Sequence, residues 1–543
     1  MTDGPVTGSD YVLRALEREG VDTLFGLVGE GNAHLVDAAN DSALPLRTAR
    51  HEQGAVTMAD GFARATGRLA AVTVTHGPGV TNAATGLAIA DRDSVPLVVL
   101  VGDTEIVGRE TSLQYLDHVD FARPIAAYGT RVEAVEALPE RLRAAVAAAR
   151  SRRGPAVVEL PIDVQAADAP DVAYATAERS IGRLRPDPDA LDEASALLDT
   201  AERPVLLAGG GAAAASAAPE LERLAETLGA PIATTFFARG LLPESHPLAT
   251  GIAGTFMTPA SSSLVPEADV LLAVGARLSG KTTRYEDLFD DASVIQIDVD
   301  PRAIGTHREP DVGVVGDAAA ALAGLADRVD PRPDRTERVR AAIDAAGDPA
   351  DIAFETAPDR IDPRELTHAL SERFPDDTIV TVGSGNNTGF PAVFHRTGGD
   401  GRMLVNGNFG SMGYSLPAAL GAAVADPDRP VLCYTGDGAL MMVLQALETA
   451  VRESLPVAVC VYNDAAYGII RHRQRRDYGR ETAATYESPD FVTVARGLGM
   501  DGVRVRSVDD LTRVEAWLDD PDGPLLIDAQ VIPEVTRPGF PPY

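Results

Sequence analysis

The sequence predicts an α/β protein built from three doubly wound parallel-sheet domains, and three observations carry that expectation. Short apolar runs of strand length alternate with stretches of helical apolar spacing, the pattern of parallel sheets covered on both faces. Turns rich in glycine and asparagine recur just past the carboxyl ends of those runs. A length of 543 residues also exceeds what one hydrophobic core organises, so about three domains are expected.

Taken in order, a helix is expected over 10–20, with Val12, Leu13 and Leu16 on one face and Gly20 as its stop. A strand over 23–28 meets the turn Gly29-Glu30-Gly31-Asn32. Arg50-His51-Glu52-Gln53-Gly54-Ala55 opens a helix whose apolar positions are Ala55, Met58, Ala59 and Phe62. A strand over 70–75 breaks at His76-Gly77-Pro78-Gly79-Val80-Thr81-Asn82 and enters another helix. A strand over 97–101 precedes a polar loop holding Gln114, and one over 156–160 closes a first domain, 1–167. The Ala-, Asp- and Pro-rich stretch 166–190 reads as a linker.

The second domain, 188–330, starts with a strand over 205–208, then Gly209-Gly210-Gly211 and a helix to Leu228. Strands over 270–274 and 294–299 follow. That glycine triplet is a weak nucleotide signal, because such turns often only let a helix pack on its strand. A Pro-, Asp- and Arg-rich stretch, 328–362, reads as the next linker. The third domain, 360–543, opens with a strand over 379–382 and ends with one over 525–529. Domains one and three read as two versions of one architecture.

The most informative stretch is 430–468. An apolar strand over 431–434 breaks into Gly436-Asp437-Gly438, a helix is expected over 439–451, and a second apolar strand over 457–462 ends at Asn463. Asp437 and Asn463 therefore stand at the carboxyl ends of parallel strands, where open α/β sheets bind ligands. One carboxylate and one amide oxygen suit Mg²⁺, which completes its octahedron with phosphate oxygens and water. The glycines allow a diphosphate to approach, and the following helix offers it free N–H groups.

Composition narrows the function. The chain carries 80 acidic against 48 basic residues, net −32, and Lys281 is its single lysine. An acidic excess spread along the chain disfavours nucleic acid and anionic membrane as partners. It resembles the surface of proteins adapted to high salt. No run of 18 apolar residues occurs and the N-terminus lacks a signal pattern, so a cytoplasmic protein is expected. Cys433 and Cys460 sit in apolar strands and read as core residues.

With these landmarks placed, the whole chain resembles the acetolactate synthase-like branch of the thiamine diphosphate-dependent decarboxylases and carboligases. The stretches that carry the resemblance are RHEQGAVTMADGFARATG (50–67), THGPGVTNAATG (75–86), ADVLLAVGAR (268–277), IQIDVDPRAIG (295–305), FGSMGYSLPAALGA (409–422), GDGALMMVLQALETA (436–450) and YNDAAYGII (462–470). It implies pyrimidine-binding, central Rossmann-like and diphosphate-binding domains, with active sites shared between subunits of a homodimer or homotetramer. It further implies that Glu52 hydrogen-bonds the aminopyrimidine from a largely apolar pocket, with Gln114 and His76 beside the reacting centre. Gly410, Ser411 and Met412 would contact the pyrimidine, Met412 holding the cofactor bent. Asn386, Asn387, Gly438 and Ala439 would contact the diphosphate, and Asp437, Asn463 and the carbonyl of Ala465 would bind Mg²⁺.

The implied reaction is decarboxylation of a 2-oxo acid, with pyruvate as donor, followed by carboligation, as in branched-chain amino acid biosynthesis. A non-ligating decarboxylase is the alternative, and an inactive regulatory or scaffold homologue is disfavoured because Glu52, Asp437 and Asn463 are all present. Several positions depart from acetolactate synthases. His76 replaces a common Ser, TSLQYLD surrounds Gln114, and the expected loop Arg471-His472-Arg473-Gln474 lacks a tryptophan. LSGKTTRY follows Arg277, which leaves FAD open at Gly210, Arg277 and Asp298. The charge reading has its own test. Self-repulsion should destabilise the fold in dilute buffer, while about 1 M salt shortens screening to roughly 3 Å, so Tm should rise with KCl. A Tm independent of KCl would contradict adaptation to salt.

Overall fold

Three six-stranded, all-parallel sheets with helices on both faces organise the chain, as the alternation of runs predicts. The computed structural model describes residues 6–177, 183–285, 287–399 and 401–540. The sequence expectations for residues 1–5 and for 178–182 of the first linker lie outside them. Among the described residues, no helix is long and apolar enough to cross a membrane.

The first sheet holds β1 (Leu24–Gly26), β2 (Leu46–Thr48), β3 (Ala70–Val74), β4 (Leu97–Asp103), β5 (Tyr128–Arg131) and β6 (Pro155–Pro161), in the order β2-β1-β3-β4-β6-β5. The second holds β7 (Pro204–Ala208), β8 (Ile232–Thr234), β9 (Ala249–Ile252), β10 (Val270–Val274), β11 (Ser293–Asp298) and β12 (Val312–Val315), ordered β12-β11-β10-β7-β8-β9. The third holds β13 (Ile379–Val382), β14 (Arg402–Val405), β15 (Val431–Gly436), β16 (Val457–Asn463), β17 (Asp501–Val505) and β18 (Leu525–Gln530), ordered β14-β13-β15-β16-β18-β17. The first and third orders are the same, as their common architecture predicts. The middle sheet has the order of a dinucleotide-binding fold. In the third sheet the direction of winding reverses between β13 and β15, which opens a crevice at their carboxyl ends.

Four local expectations need correction. The helix expected to reach Leu228 is two helices, Gly210–Ala214 and Ala218–Leu228, separated where Ser216 takes a positive φ of 52°. The helix expected over 439–451 likewise splits into Asp437–Met442 and Ala446–Arg452, with Val443 ending the first segment at φ −135°. The second linker contains a helix, Pro333–Ala346, whose Val339 packs into the central core. Arg471–Gln474, expected in a loop, lie on the helix Gly468–Tyr478.

The first and third sheets share one hydrophobic core. It includes Val56, Met58 and Phe62 together with Leu416, Leu420 and Val459. At its centre the helices Glu52–Thr66 and Ser415–Ala425 cross through glycines. A Cβ on Gly421 would lie 1.8 Å from the Met58 carbonyl oxygen, and one on Gly61 would lie 2.1 Å from that of Ala418. No side chain fits at either position. Gly421→Ala should therefore cost about 1–3 kcal/mol or more in urea unfolding. Gly54→Ala, whose Cβ would meet only Ala49 at 3.7 Å, should be neutral or mildly stabilising. Equal effects of the two would remove the crossing as a constraint.

Candidate active site

The crevice of the third sheet contains a cavity of about 250 Å³. Its walls come from the ends of four strands: Ser384–Asn387 after β13, Gly436–Ala439 at β15, Tyr462 to Ile470 after β16, and Val531 to Val535 after β18. Asp437 opens the short helix after β15 and is 1% exposed. Its Oδ1 accepts from the Gly438 N–H at 2.9 Å, while its Oδ2 is buried with no partner. Burial pushes its carboxyl pKa up to about 6. An unpartnered buried carboxylate oxygen is costly to leave so, and a bound cation removes that cost.

Asn463 ends β16 and donates from Nδ2 to Asp528 Oδ1 at 2.8 Å, which leaves its oxygen as the group it can offer. Ala465 adopts φ 56°, uncommon for a residue with a Cβ, and its carbonyl already accepts one bond from the Tyr486 N–H at 3.1 Å. A second lone pair remains on that carbonyl. Next to them stands Asp464, whose pKa rises to about 7 through burial and then through Asp437. The Tyr486 hydroxyl is also buried and faces the Asp437 carboxylate without closing to ordinary hydrogen-bond geometry. It lies 2.7 Å from where a Gly438 Cβ would be, so Gly438 makes room for it. The donor set is therefore hard oxygen throughout, as Mg²⁺ requires.

The remaining expected residues divide. Asn386, Asn387, Gly410, Met412, Gly438 and Ala439 are on the cavity wall. Asn463, Ala465 and Ser411 lie beside wall residues rather than on the wall. The Asn386 side chain is turned to the C-terminal segment, donating to the Val535 carbonyl and accepting from the Arg537 N–H, each at 3.0 Å. Asn387 Nδ2 donates to the Gly383 carbonyl at 3.3 Å.

Glu52, His76 and Gln114 are not on that wall. They gather instead on the first sheet. Glu52 starts its helix, and its Oε2 accepts from Asn82 Nδ2 at 3.0 Å, so its surroundings are less apolar than expected. Gly79 lies over Oε1, at 3.7 Å for an added Cβ. Gln114 packs on the neighbouring turn, its carbonyl 2.5 Å from a Cβ placed on Gly77. His76 is buried, and burial lowers its pKa.

Behind that turn lies a network the sequence reading missed. The Gly77 N–H donates to His118 Nε2 at 2.9 Å, and His118 Nδ1 pairs with Glu159 Oε2 at 3.1 Å. His118 Nε2 is thus placed as the acceptor of the Gly77 N–H, and its Nδ1 faces Glu159. Arg109 and Arg131 both bond Glu159, and Arg109 also bonds Asp103. Asp103, His118 and Glu159 are close enough to hold a metal ion, but those two guanidiniums already neutralise the carboxylates. The available signal was a charged residue, Glu159, inside the apolar strand β6.

The central sheet answers the question of FAD. The Gly211 N–H donates to the Gly275 carbonyl at 3.0 Å, and a Gly209 Cβ would lie 2.2 Å from that oxygen. Phe237 closes over Gly210. Arg277 donates to the Arg92 carbonyl and to Ser94 Oγ, and Asp298 accepts from the Asp300 N–H. These residues join strand ends and tie two domains together. Their hydrogen-bonding groups are thus engaged within the chain at the positions where the sequence leaves FAD open.

Comparison with known proteins now has a geometry to meet. Residues 6–122 match the family described as thiamine pyrophosphate enzyme, N-terminal TPP binding domain. Residues 191–325 match its central domain and 383–529 its C-terminal TPP binding domain. A probable acetolactate synthase large subunit of Methanocaldococcus jannaschii is 35% identical over 98% of this chain and 93% of its own. The acetolactate synthase isozyme 1 large subunit of Escherichia coli is 32% identical over 99% and 96%. The chain belongs to the thiamine pyrophosphate-dependent, acetolactate synthase-like enzymes. The acetolactate synthase large subunit of Corynebacterium glutamicum is 33% identical over 98% of this chain and 88% of its own.

For this acetolactate synthase-like enzyme the two raised carboxyls have a measurable consequence. A folded carboxyl with pKa above its unfolded value favours folding while protonated, and that contribution is lost as pH rises through the folded pKa. Asp437 and Asp464 rise from 3.8 to about 6 and about 7, so the window runs from about pH 4 to about pH 7. Without divalent cation, Asp464→Asn should lose less stability across that window than wild type, by on the order of 1–3 kcal/mol. Urea melts at its two ends measure this. Parallel pH profiles would show that the two carboxyls do not oppose each other.

Proposed function

We propose that this chain is a Mg²⁺- and thiamine diphosphate-dependent enzyme that decarboxylates pyruvate and ligates the acetyl unit to a second 2-oxo acid. The observation that carries the reading is the unpartnered, buried Oδ2 of Asp437 at the switch point of the third sheet. Asp437, Asn463 and the second lone pair of the Ala465 carbonyl would hold the metal. Gly438 and Ala439 would bring backbone groups to the diphosphate beside Asn386 and Asn387, and Gly410, Ser411 and Met412 would flank the pyrimidine. The division of the chain at 1–167, 188–330 and 360–543 belongs to the same proposal.

Bound in this cavity, thiamine diphosphate supplies the electron sink for loss of CO₂. The chain's residues do the rest. Glu52 would hold the proton of the aminopyrimidine, and the Asn82 amide fixes the direction of its carboxylate. His118 holds the Gly77 turn, and with it His76 and Gln114, in place. In the overall reaction the C1–C2 bond of the donor breaks and releases CO₂. Its electron pair forms a new bond to the acceptor's carbonyl carbon, and the resulting alkoxide takes one proton. No oxidant is consumed.

Glu52 and the cavity share no wall, so a working site is completed by a second copy, as a homodimer or homotetramer. Apolar side chains exposed beside each half support this reading. Met441, Met442 and Phe409 are near the cavity, and Val107 and Leu113 are in the Gln114 loop. Adaptation to high salt follows from the net charge of −32 and belongs to the proposal as well.

The test is purified protein with thiamine diphosphate, Mg²⁺ and a panel of 2-oxo acids, with CO₂ and condensation products both measured. Condensation product equal to CO₂ released is expected; CO₂ with free aldehyde would make the enzyme a simple decarboxylase. Glu52→Gln should slow hydrogen–deuterium exchange at C2 of the bound cofactor by about 10²–10⁴-fold. Wild-type exchange at full occupancy would remove Glu52 from its role.

A further inference from the structure

Three cations from three separate segments stand beside residues of the cavity wall or next to it in the chain. Lys281 comes from the central domain and donates from Nζ to the Gly407 carbonyl at 3.2 Å, just before the wall residue Gly410. Arg473 stands on the helix whose first residues, Gly468, Ile469 and Ile470, are wall residues. Its side chain is exposed, and among the described residues it makes no hydrogen bond or ion pair. Arg537 comes from the C-terminal segment, its N–H donating to Asn386 Oδ1 and its Nη1 to the Gly385 carbonyl, both on the wall. Its Nε is buried with no partner, and its guanidinium covers the Phe256 ring at 5.2 Å.

The three act on one another. Desolvation, then Arg537, lowers the Lys281 pKa, and desolvation, then Arg473, lowers that of Arg537 to about 10. Among the described residues, the acids within reach are already engaged. Asp93, which opposes the loss at Lys281, holds Arg64 at 2.9 Å and accepts from the Asn408 N–H. Asp477, which feels Arg473, is bonded by Arg476. Tyr285, beside Arg537, offers a phenol and not a carboxylate. In a chain of net −32, three neighbouring cations that no carboxylate among the described residues pairs offer a site to an anion.

The carboxylate common to every 2-oxo acid answers one of these charges and leaves two. We propose that the Lys281–Arg473–Arg537 cluster binds a second anionic group on the acceptor, which is therefore a small dianionic 2-oxo acid. The second group is a carboxylate, a sulfonate or a phosphonate; all three offer oxygens to ammonium and guanidinium donors. Arg473 is the group best placed to select it, because its side chain is free of internal partners. This inference rests on the ligase reading above and deepens it.

Two measurements test it. In the first, holoenzyme is given pyruvate with equal concentrations of 2-oxobutyrate and one of 2-oxoglutarate, sulfopyruvate or phosphonopyruvate, and condensation products are quantified by mass. The dianionic acceptor should win, and the winning member identifies the anion class. Arg473→Gln and Lys281→Gln should each reduce the dianionic-to-monoanionic product ratio about tenfold, the worth of one charge-assisted hydrogen bond. A preference for 2-oxobutyrate, or a ratio unmoved by both substitutions, overturns the proposal. In the second, calorimetry compares succinate with propionate, neither of which can react. Tighter succinate binding that weakens in Arg473→Gln supports the cluster even if no acceptor turns over, an outcome that would sink only the ligase reading. Equal binding of the two acids overturns the cluster as an anion site.

Discussion

The crossing of the helices Glu52–Thr66 and Ser415–Ala425 decides how the rest of the chain is arranged. Gly61 and Gly421 bring two backbones together at a distance that excludes any Cβ. The contact is locked by a polar group placed where water does not reach. Asp60 is fully buried and accepts from Arg64 and from the Tyr414 hydroxyl at 2.9 Å, and Arg64 also reaches Asp93 and the Val405 carbonyl. Burial pushes the Asp60 carboxyl up even beside a guanidinium. Removing one partner leaves a buried charge uncompensated, which typically costs more than the intact network contributes. The lock thus specifies the crossing more than it strengthens it.

That crossing has a functional consequence. It fuses the first and third sheets into one core and fixes the Glu52 helix by its buried face. The carboxyl-end crevice of the third sheet opens elsewhere, so Glu52, His76 and Gln114 and the residues of the cavity are presented on different walls. In the proposed reading, two such chains placed face to face would complete each other's sites.

Which strands were legible in the sequence follows from where they lie. The readable ones are interior, such as β3, β15 and β16, every residue of which is buried or nearly so, giving unbroken apolar runs. The six edge strands, β2, β5, β9, β12, β14 and β17, left no comparable run. An edge strand has one neighbour and a solvent side, so β12 reads half-buried, exposed, buried, exposed, and Asp501 and Arg504 of β17 are exposed. The split helices were missed for a different reason. Apolar spacing continues through Val443 and Leu444 while the backbone leaves the helix, and periodicity does not register a change of φ.

The site was legible where chemistry is local and silent where it is tertiary. Asp437 and Asn463 announce themselves by standing at strand ends; Asp464, Tyr486 and Asp528 matter only because folding places them beside those two. The cationic rim belongs to the second kind, since Lys281, Arg473 and Arg537 are far apart in the chain. Its setting also limits how it can act. A surface of net −32 repels an approaching anion at low salt, and at high salt its screening falls to a few ångströms, so long-range steering by three cations is weak in either case. Contact-range donors are different. Partly desolvated guanidinium and ammonium groups bonded directly to an anion are screened far less than exposed pairs. A chain that solvates itself with carboxylates and leaves three cations beside its cavity unpaired by any carboxylate among the described residues is therefore suited to recognise an anion at contact, after arrival, and not to attract it.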